Sequence, residues 1–354
     1  MFLRQKRPGS AWILACAIAL SLALPRADAA TTPTAANEMP AKQTAGKEKP
    51  TDKEKTTQIT VRAGKADNPN FLLARQFSEA IALATNGSFA LDVKESQGTV
   101  QNVIDAPKNS RDTVFTASRS VVMRARRGVQ PFKHDRAYND IRALFPMPAQ
   151  TVHWIVRQDS GVQTMADLVG HTFVPGAKGS VSERITQSAL QILGIDKKVQ
   201  LLDIDVAAAP DAVMSNKVTG LAMAGTFPIP RIADIAKATP VRLLSLSPDM
   251  VKKMLAADDS IISQTVPKGT YPNVDADVTT VAVPVGMYTT RHMSNATAYK
   301  LTKTFWSQLG TLAGKNPAWR AVTGAEVATL GIALHPGALR FYKEAGITIP
   351  KAMR

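Results

Sequence analysis

The stretch Val174-Pro-Gly-Ala-Lys-Gly-Ser-Val-Ser-Glu183 sets the architecture. The β-branched and aromatic residues 172–174 end at Pro175, Gly176 and Gly179 flank Lys178, and Ser180 opens an amphipathic segment. Ser180 and Glu183 have the spacing of a capping box, in which a hydroxyl and a carboxylate satisfy free N–H groups of a first helical turn. Ile185, Ala189, Ile192 and Leu193 recur at helical spacing, and Gly194 supplies the stop. The reading is strand, glycine loop, helix N-terminus. Such a junction gathers unpaired N–H groups at the positive end of a helix dipole and attracts carboxylate or phosphate. Lys178 and the hydroxyls of Ser180 and Ser182 add donors. The alternative is a plain turn in which the glycines only answer a backbone requirement. Neither G-x-x-x-x-G-K-[ST] nor G-x-G-x-x-G occurs, so a nucleotide has no motif behind it.

Working outward, the same unit repeats. Residues 59–61, 89–93 and 113–117 read as strands. A helix is expected over 71–84, with Leu72, Ala74, Phe77, Ile81 and Ala84 on its apolar side, and Gln97-Gly98 turns into another. Phe145-Pro-Met-Pro148 punctuates the chain. A second series follows, with strands at 151–156, 172–174, 199–202, 221–224 and 241–246. Helices are expected at 164–169, 181–193, around 211–215 and over 231–238, and Ser247-Pro248 caps one more. Residues 279–285 and 287–290 are strand-like, 294–312 is a long helix, and 334–342 turns into the last one. Alternating strands and helices argue for an α/β fold with a parallel, helix-covered sheet.

The 354 residues fit two lobes. Arg4, Lys6 and Arg7, the apolar run 11–24 and Ala27-Asp28-Ala29 together read as a secretory signal peptide cut after Ala29. Cys16, the single cysteine, falls inside that run, so the mature chain is expected to carry no disulfide or thiol chemistry. Residues 30–57, rich in Thr, Ala, Pro, Lys and Glu, read as a disordered linker. The formal charge of +15 fits an anionic ligand or an acidic surface better than nucleic acid, which a secreted protein rarely meets; solubility alone is the plainest reading.

No metal site, cofactor motif or catalytic constellation is legible. His134, His153, His171, His292 and His335 have no metal-ligand spacing, and there is no G-x-S-x-G elbow. His153, alternating with apolar neighbours, reads as a hydrogen-bonded core residue, and His335-Pro336 as the start of a helix. Tyr299, Phe305 and Trp306 read as core, and Arg124, Arg126 and Arg127 as a solvated face, with a docking surface for an acidic partner as the alternative.

Taken in order, several stretches resemble the TAXI family of extracytoplasmic solute receptors of TRAP transporters. They are Ala149-Gln-Thr-Val-His-Trp-Ile-Val-Arg157, Asp159-Ser-Gly161, Pro175-Gly-Ala-Lys-Gly-Ser180, Gly225-Thr-Phe-Pro228, Pro267-Lys-Gly-Thr-Tyr-Pro272 and Leu334-His-Pro-Gly-Ala338. The resemblance covers about residues 57–346. It implies a two-lobe periplasmic binding protein fold with a ligand cleft between lobes joined by hinge strands near 148–153 and 281–284. The implied lobes are 58–148 with 285–346, and 149–284, leaving 347–354 as a tail. It further implies a small anionic ligand, a carboxylate such as glutamate or 2-oxoglutarate, and a membrane permease as partner. The protein would be monomeric and periplasmic, without enzymatic activity. By the same resemblance the cleft loops carry Asp67, Asn68, Asn70 and Phe71; Gln97, Gly98 and Thr99; Thr116, Ser118 and Arg119; Lys178, Gly179, Ser180, Val181 and Ser182; and Phe227 and Pro228. The first lobe departs from the family pattern. Its first loop has mostly lost the usual glycines, and Arg119 stands where many members carry an acid. Arg119 is expected to face the ligand, or else to pair with Asp112 or Asp92 on the lobe surface. A receptor serving a sensor or another transporter, or an enzyme or interaction module on the same scaffold, are the competing functions.

Overall fold

The computed structural model describes residues 56–66, 68–205 and 207–354. The expected signal peptide with Cys16, the linker as far as residue 55, and Asp67 lie outside these residues.

The first β-loop-α units are Thr57–Arg62 (β1), Pro69–Ala84 (α1), Phe89–Lys94 (β2), Thr99–Asp105 (α2), Thr113–Ser118 (β3) and Arg119–Arg126 (α3). Ile141–Arg157 (β4) leads to Thr172–Val174 (β5), Val181–Ile192 (α4), Gln200–Leu201 (β6), Ala209–Met214 (α5), Gly220–Gly225 (β7) and Pro230–Ala238 (α6). Val241–Leu243 (β8), Pro248–Ala257 (α7), Ile262–Val266 (β9), Val278–Thr290 (β10), Asn295–Lys315 (α8) and Pro336–Glu344 (α9) complete the chain. The strands form one sheet in the order β2-β1-β3-β10-β4-β7-β5-β6, with β8 beside β4 and β9 beside β10.

The sheet is mixed, where the repeating units alone suggest a parallel one. Pairs β1–β2, β1–β3, β5–β6 and β5–β7 are parallel, but β10 runs antiparallel to β3, β4 and β9, and β4 antiparallel to β7 and β8. The reason is that β4 and β10 do not belong to a βαβ unit. Each is a crossing strand.

Pro146 and Pro148 do not break the chain as expected: β4 runs through both without interruption. Proline cannot donate to a ladder and is confined to edges and bulges. Along this half β4 has only β10 as a strand neighbour, and the pairing shifts register between Val283 and Val285. The two strands expected at 279–290 are likewise one, β10. The strand expected at 241–246 stops at Leu243, and β9 is an element the sequence reading missed. Thr57, expected at the end of the linker, is already in β1.

Two lobes are visible in the packing. One apolar core is built from residues between 59 and 147 together with residues between 285 and 353. Two others, on opposite faces of the sheet's second half, draw only on residues between 152 and 283. Both crossing strands contribute to each side: β4 places Phe145 in the first core and Trp154 in the second, and β10 does the same with Met287 and Val281. α1 turns Phe71, Leu73, Ala74, Phe77, Ala80 and Ile81 inward. Leu72 and Ala84, expected on that face, are exposed, because the helical period places the buried stripe one position away from them. The expected tail at 347–354 is packed, with Ile349 and Met353 buried in the first core.

Candidate ligand cleft

In parallel β-loop-α units every helix starts at the same edge of the sheet, the carboxyl end of the strands. Here the starts of α1, α2, α3 and α4 all reach one cavity of about 360 Å³. Asn68 and Asn70 come from α1, Gly98 and Thr99 from α2, Ser118 and Ser120 from α3, and Gly179, Ser180 and Val181 from α4. The two halves of the chain thus face each other across it.

The loops are fixed by local hydrogen bonds. Asn68 caps α1, its Oδ1 accepting from the Asn70 N–H at 2.8 Å. The Ser180 hydroxyl accepts from the Glu183 N–H at 3.1 Å and lies 2.9 Å from the Ser182 hydroxyl. The capping box is only half formed, since the Glu183 carboxylate takes the N–H of Gly179. Asn102 donates to the carbonyls of Thr116 and Arg62, tying α2 to β3 and β1. The Ser118 N–H donates to Thr99 Oγ1 at 3.1 Å, but the Ser118 side chain makes no capping hydrogen bond to α3. Gly176 has φ +117°, and a Cβ there would collide with Ser182 Oγ, so this position requires glycine.

The charged residues of the lining are Arg124 and Arg184, and no carboxylate lines the cavity among the described residues. Arg124 donates to the Gln130 carbonyl, and Arg184 to the Asp258 carboxylate. Burial works to raise the Asp258 carboxyl, yet hydrogen bonds from Ser260 and Arg184 outweigh it and hold the group below its ordinary range. Next to these, Arg127 pairs with Asp259 at 2.8 Å, joining the end of α3 to the loop after α7.

Of the residues expected at the site, Asn68, Asn70, Gly98, Thr99, Thr116, Ser118, Gly179, Ser180 and Val181 line this cavity. Asp67 lies outside the described residues. Phe71 belongs to the first core, and Ser182 is buried behind Ser180. Gln97 and Lys178 are exposed and off the lining. Phe227 lines a separate, much smaller recess of about 10 Å³ with Pro146, Pro148 and Pro284, so neither it nor Pro228 reaches the cleft. Arg119 takes neither of its expected positions. It is off the lining, and its Nε is buried against Gly331 and has no hydrogen-bond partner. It makes no ion pair with Asp112 or Asp92; the latter pairs with Lys94. Arg124 and Arg127, read as a solvated face, are indeed exposed; Arg124 also lines the cavity, and Arg127 also pairs with Asp259 across it. The sequence reading missed Ser120, Arg124, Gln150 and Arg184. The signal for Ser120, Arg124 and Arg184 was the spacing Ser120-x-x-x-Arg124 and Ser180-x-x-x-Arg184, which puts each pair on one face of a helix's first turns; Gln150, on β4, had none.

Three solved proteins are similar in outline at low identity. A TctC solute binding protein from Polaromonas shares 13% identity over 74% of this chain and 86% of its own, with a TM-score of 0.47. The periplasmic binding protein BugD shares 12% over 83% and 99%, also at 0.47. The periplasmic aliphatic sulphonate binding protein SsuA from Escherichia coli shares 16% over 84% and 90%, at 0.42. The sequence itself matches the NMT1-like family from residue 63 to residue 346, most of its length, and the chain belongs to that family.

Proposed function

We propose that this protein is a periplasmic receptor that captures a small anionic solute in the cleft and delivers it to a membrane permease of the TRAP type. The observation that carries this reading is the cleft's polarity. Helix starts from both halves converge on one cavity whose charged side chains, among the described residues, are two arginines. Helix dipoles and open N–H groups favour an anion there, and guanidinium recognises carboxylate through paired N–H groups. Hydroxyls of Thr99, Thr116, Ser118, Ser120 and Ser180 supply orientation. Carboxylates such as glutamate or 2-oxoglutarate have the right size for about 360 Å³, and glutamate, with a net charge of −1, needs only one free counter-charge. The protein would work as a monomer, binding its solute between lobes that swing about β4 and β10 and favouring the closed form by contacting both.

Native mass spectrometry of gently purified protein should find a small acid bound with one-to-one stoichiometry, released on mild denaturation. Calorimetry with that acid should show Arg124→Gln weakening binding about ten- to a hundredfold, the value of a charge-assisted contact. A co-purified cation, or an Arg124→Gln variant that binds the acid normally, would contradict the reading.

A further inference from the structure

We infer that the cleft is built for a solute of net charge −1, because Arg184 arrives already neutralised by Asp258 and Arg124 is left as the uncompensated cation. This rests on the anion-binding reading above. The cavity of about 360 Å³ adjoins a second chamber of about 310 Å³, and the two share Ser120, Arg124 and Arg184. Asp258 and Asp259 line only the second one. Across both chambers, among the described residues, three guanidiniums therefore meet two carboxylates, leaving one positive charge.

The pairing says where that charge resides. Arg127 is engaged by Asp259 at 2.8 Å. Arg184 is engaged by Asp258 through Oδ2. Asp258 does not depend on Arg184 for its position: its Oδ1 accepts from the Ser260 N–H at 2.9 Å and from the Ser260 hydroxyl at 2.6 Å. A carboxylate anchored in this way stays beside Arg184 whether a solute is present or absent. Arg184 can still offer N–H groups to a solute, but its charge is answered from within the protein. Arg124 donates to a neutral carbonyl, that of Gln130, and makes no ion pair among the described residues. A second anionic group on the solute would meet no free counter-charge among the described residues and would approach Asp258 and Asp259 in the adjoining chamber. Burying a charge without a partner is strongly unfavourable. The built-in counter-ion thus acts as a filter on solute charge.

The test is calorimetry with paired probes of equal chain length, 2-oxovalerate against 2-oxoglutarate and butyrate against succinate, at one fixed ionic strength. Wild-type protein should bind the monocarboxylate of a pair at least about tenfold more tightly than its dicarboxylate. Asp258→Asn keeps a group that can bond Ser260 while freeing the charge of Arg184, and it should move that ratio about tenfold toward the dicarboxylate. Asp259→Asn, which frees Arg127, should shift it in the same direction and serves if the first variant does not fold. A wild-type preference for dicarboxylates, or a ratio unmoved in a folded variant, overturns the charge filter while leaving the anion cleft in place. If no acid binds wild-type protein, and cationic or neutral analogues bind it and Arg124→Gln equally, the anion reading itself falls and this inference with it.

Discussion

His153 sits on β4 with 2% of its surface exposed, in a closed set of hydrogen bonds. Its Nδ1 donates to the Thr151 carbonyl at 3.0 Å, and its Nε2 accepts from the Tyr271 hydroxyl at 3.1 Å, whose oxygen in turn accepts from the Ile229 N–H at 2.9 Å. Burial holds this imidazole down at about 4, against 6.5 for a free one. Below about 6.5 the unfolded chain takes up a proton that the folded chain refuses until about 4, so stability drains away as pH falls through that window. Its full extent is roughly 3 kcal/mol. Melting temperature should therefore fall from pH 7 to pH 4 more steeply in wild-type protein than in His153→Gln. Equal slopes would show that the ring titrates freely. The core role of His153 was legible, since apolar neighbours alternate with it along the strand. The cleft arginines were not. Arg119 and Arg124 look alike in sequence, and only the packing of α3 decides that Arg124 reaches the cavity while Arg119 turns toward Gly331. The two Ser-x-x-x-Arg spacings acquire meaning once both helices are known to start at the same cavity, which is a fact of tertiary structure.

At the scale of elements, α4 carries the second half of the cleft and is pinned to a crossing strand by one polar contact in an apolar setting. Trp154 Nε1 on β4 donates to Thr186 Oγ1 on α4 at 2.9 Å, and both residues are fully buried. Thr186→Val keeps the shape and removes the acceptor, leaving a buried N–H unsatisfied at a cost of about 1–3 kcal/mol. Chemical denaturation should show a loss of that size, with the slope against denaturant unchanged. A neutral result would mean that another acceptor or a water serves the indole. Most elements of the fold were legible because glycine and proline punctuation and hydrophobic period agree in them. The opening unit, β5 through α4, is the clearest, with Ser180 capping as its spacing implied. The crossing strands were not legible as single elements. Pro146, Pro148 and the bulge near Pro284 mimic chain breaks locally, and β10 supplies the continuity from far away in sequence.

At the scale of the whole molecule, the Arg127–Asp259 pair is a tie across the cleft independent of any solute. Both side chains are more than half exposed, so the tie is worth at most about 1 kcal/mol, or roughly a fivefold bias toward the arrangement in which the two residues meet. Without solute, Arg127→Ala should show a larger radius of gyration in small-angle scattering than wild-type protein. Molar salt should enlarge the wild-type radius toward that of the variant by screening the pair, and an unchanged radius in both experiments would show that the pair does not hold the lobes. The division of the cores has another consequence, concerning the order in which the protein can be assembled. The cores of the second half draw on residues between 152 and 283 alone, but the first core needs Ile349 and Met353 as well as Ile59 and Val61. A chain emerging N-terminus first therefore completes its later half first. Its earlier half waits, with β1 to β3 formed around an open apolar surface, until β10, α8 and the last residues arrive to close it. That waiting period is when the newborn chain is most exposed to aggregation and most in need of a chaperone.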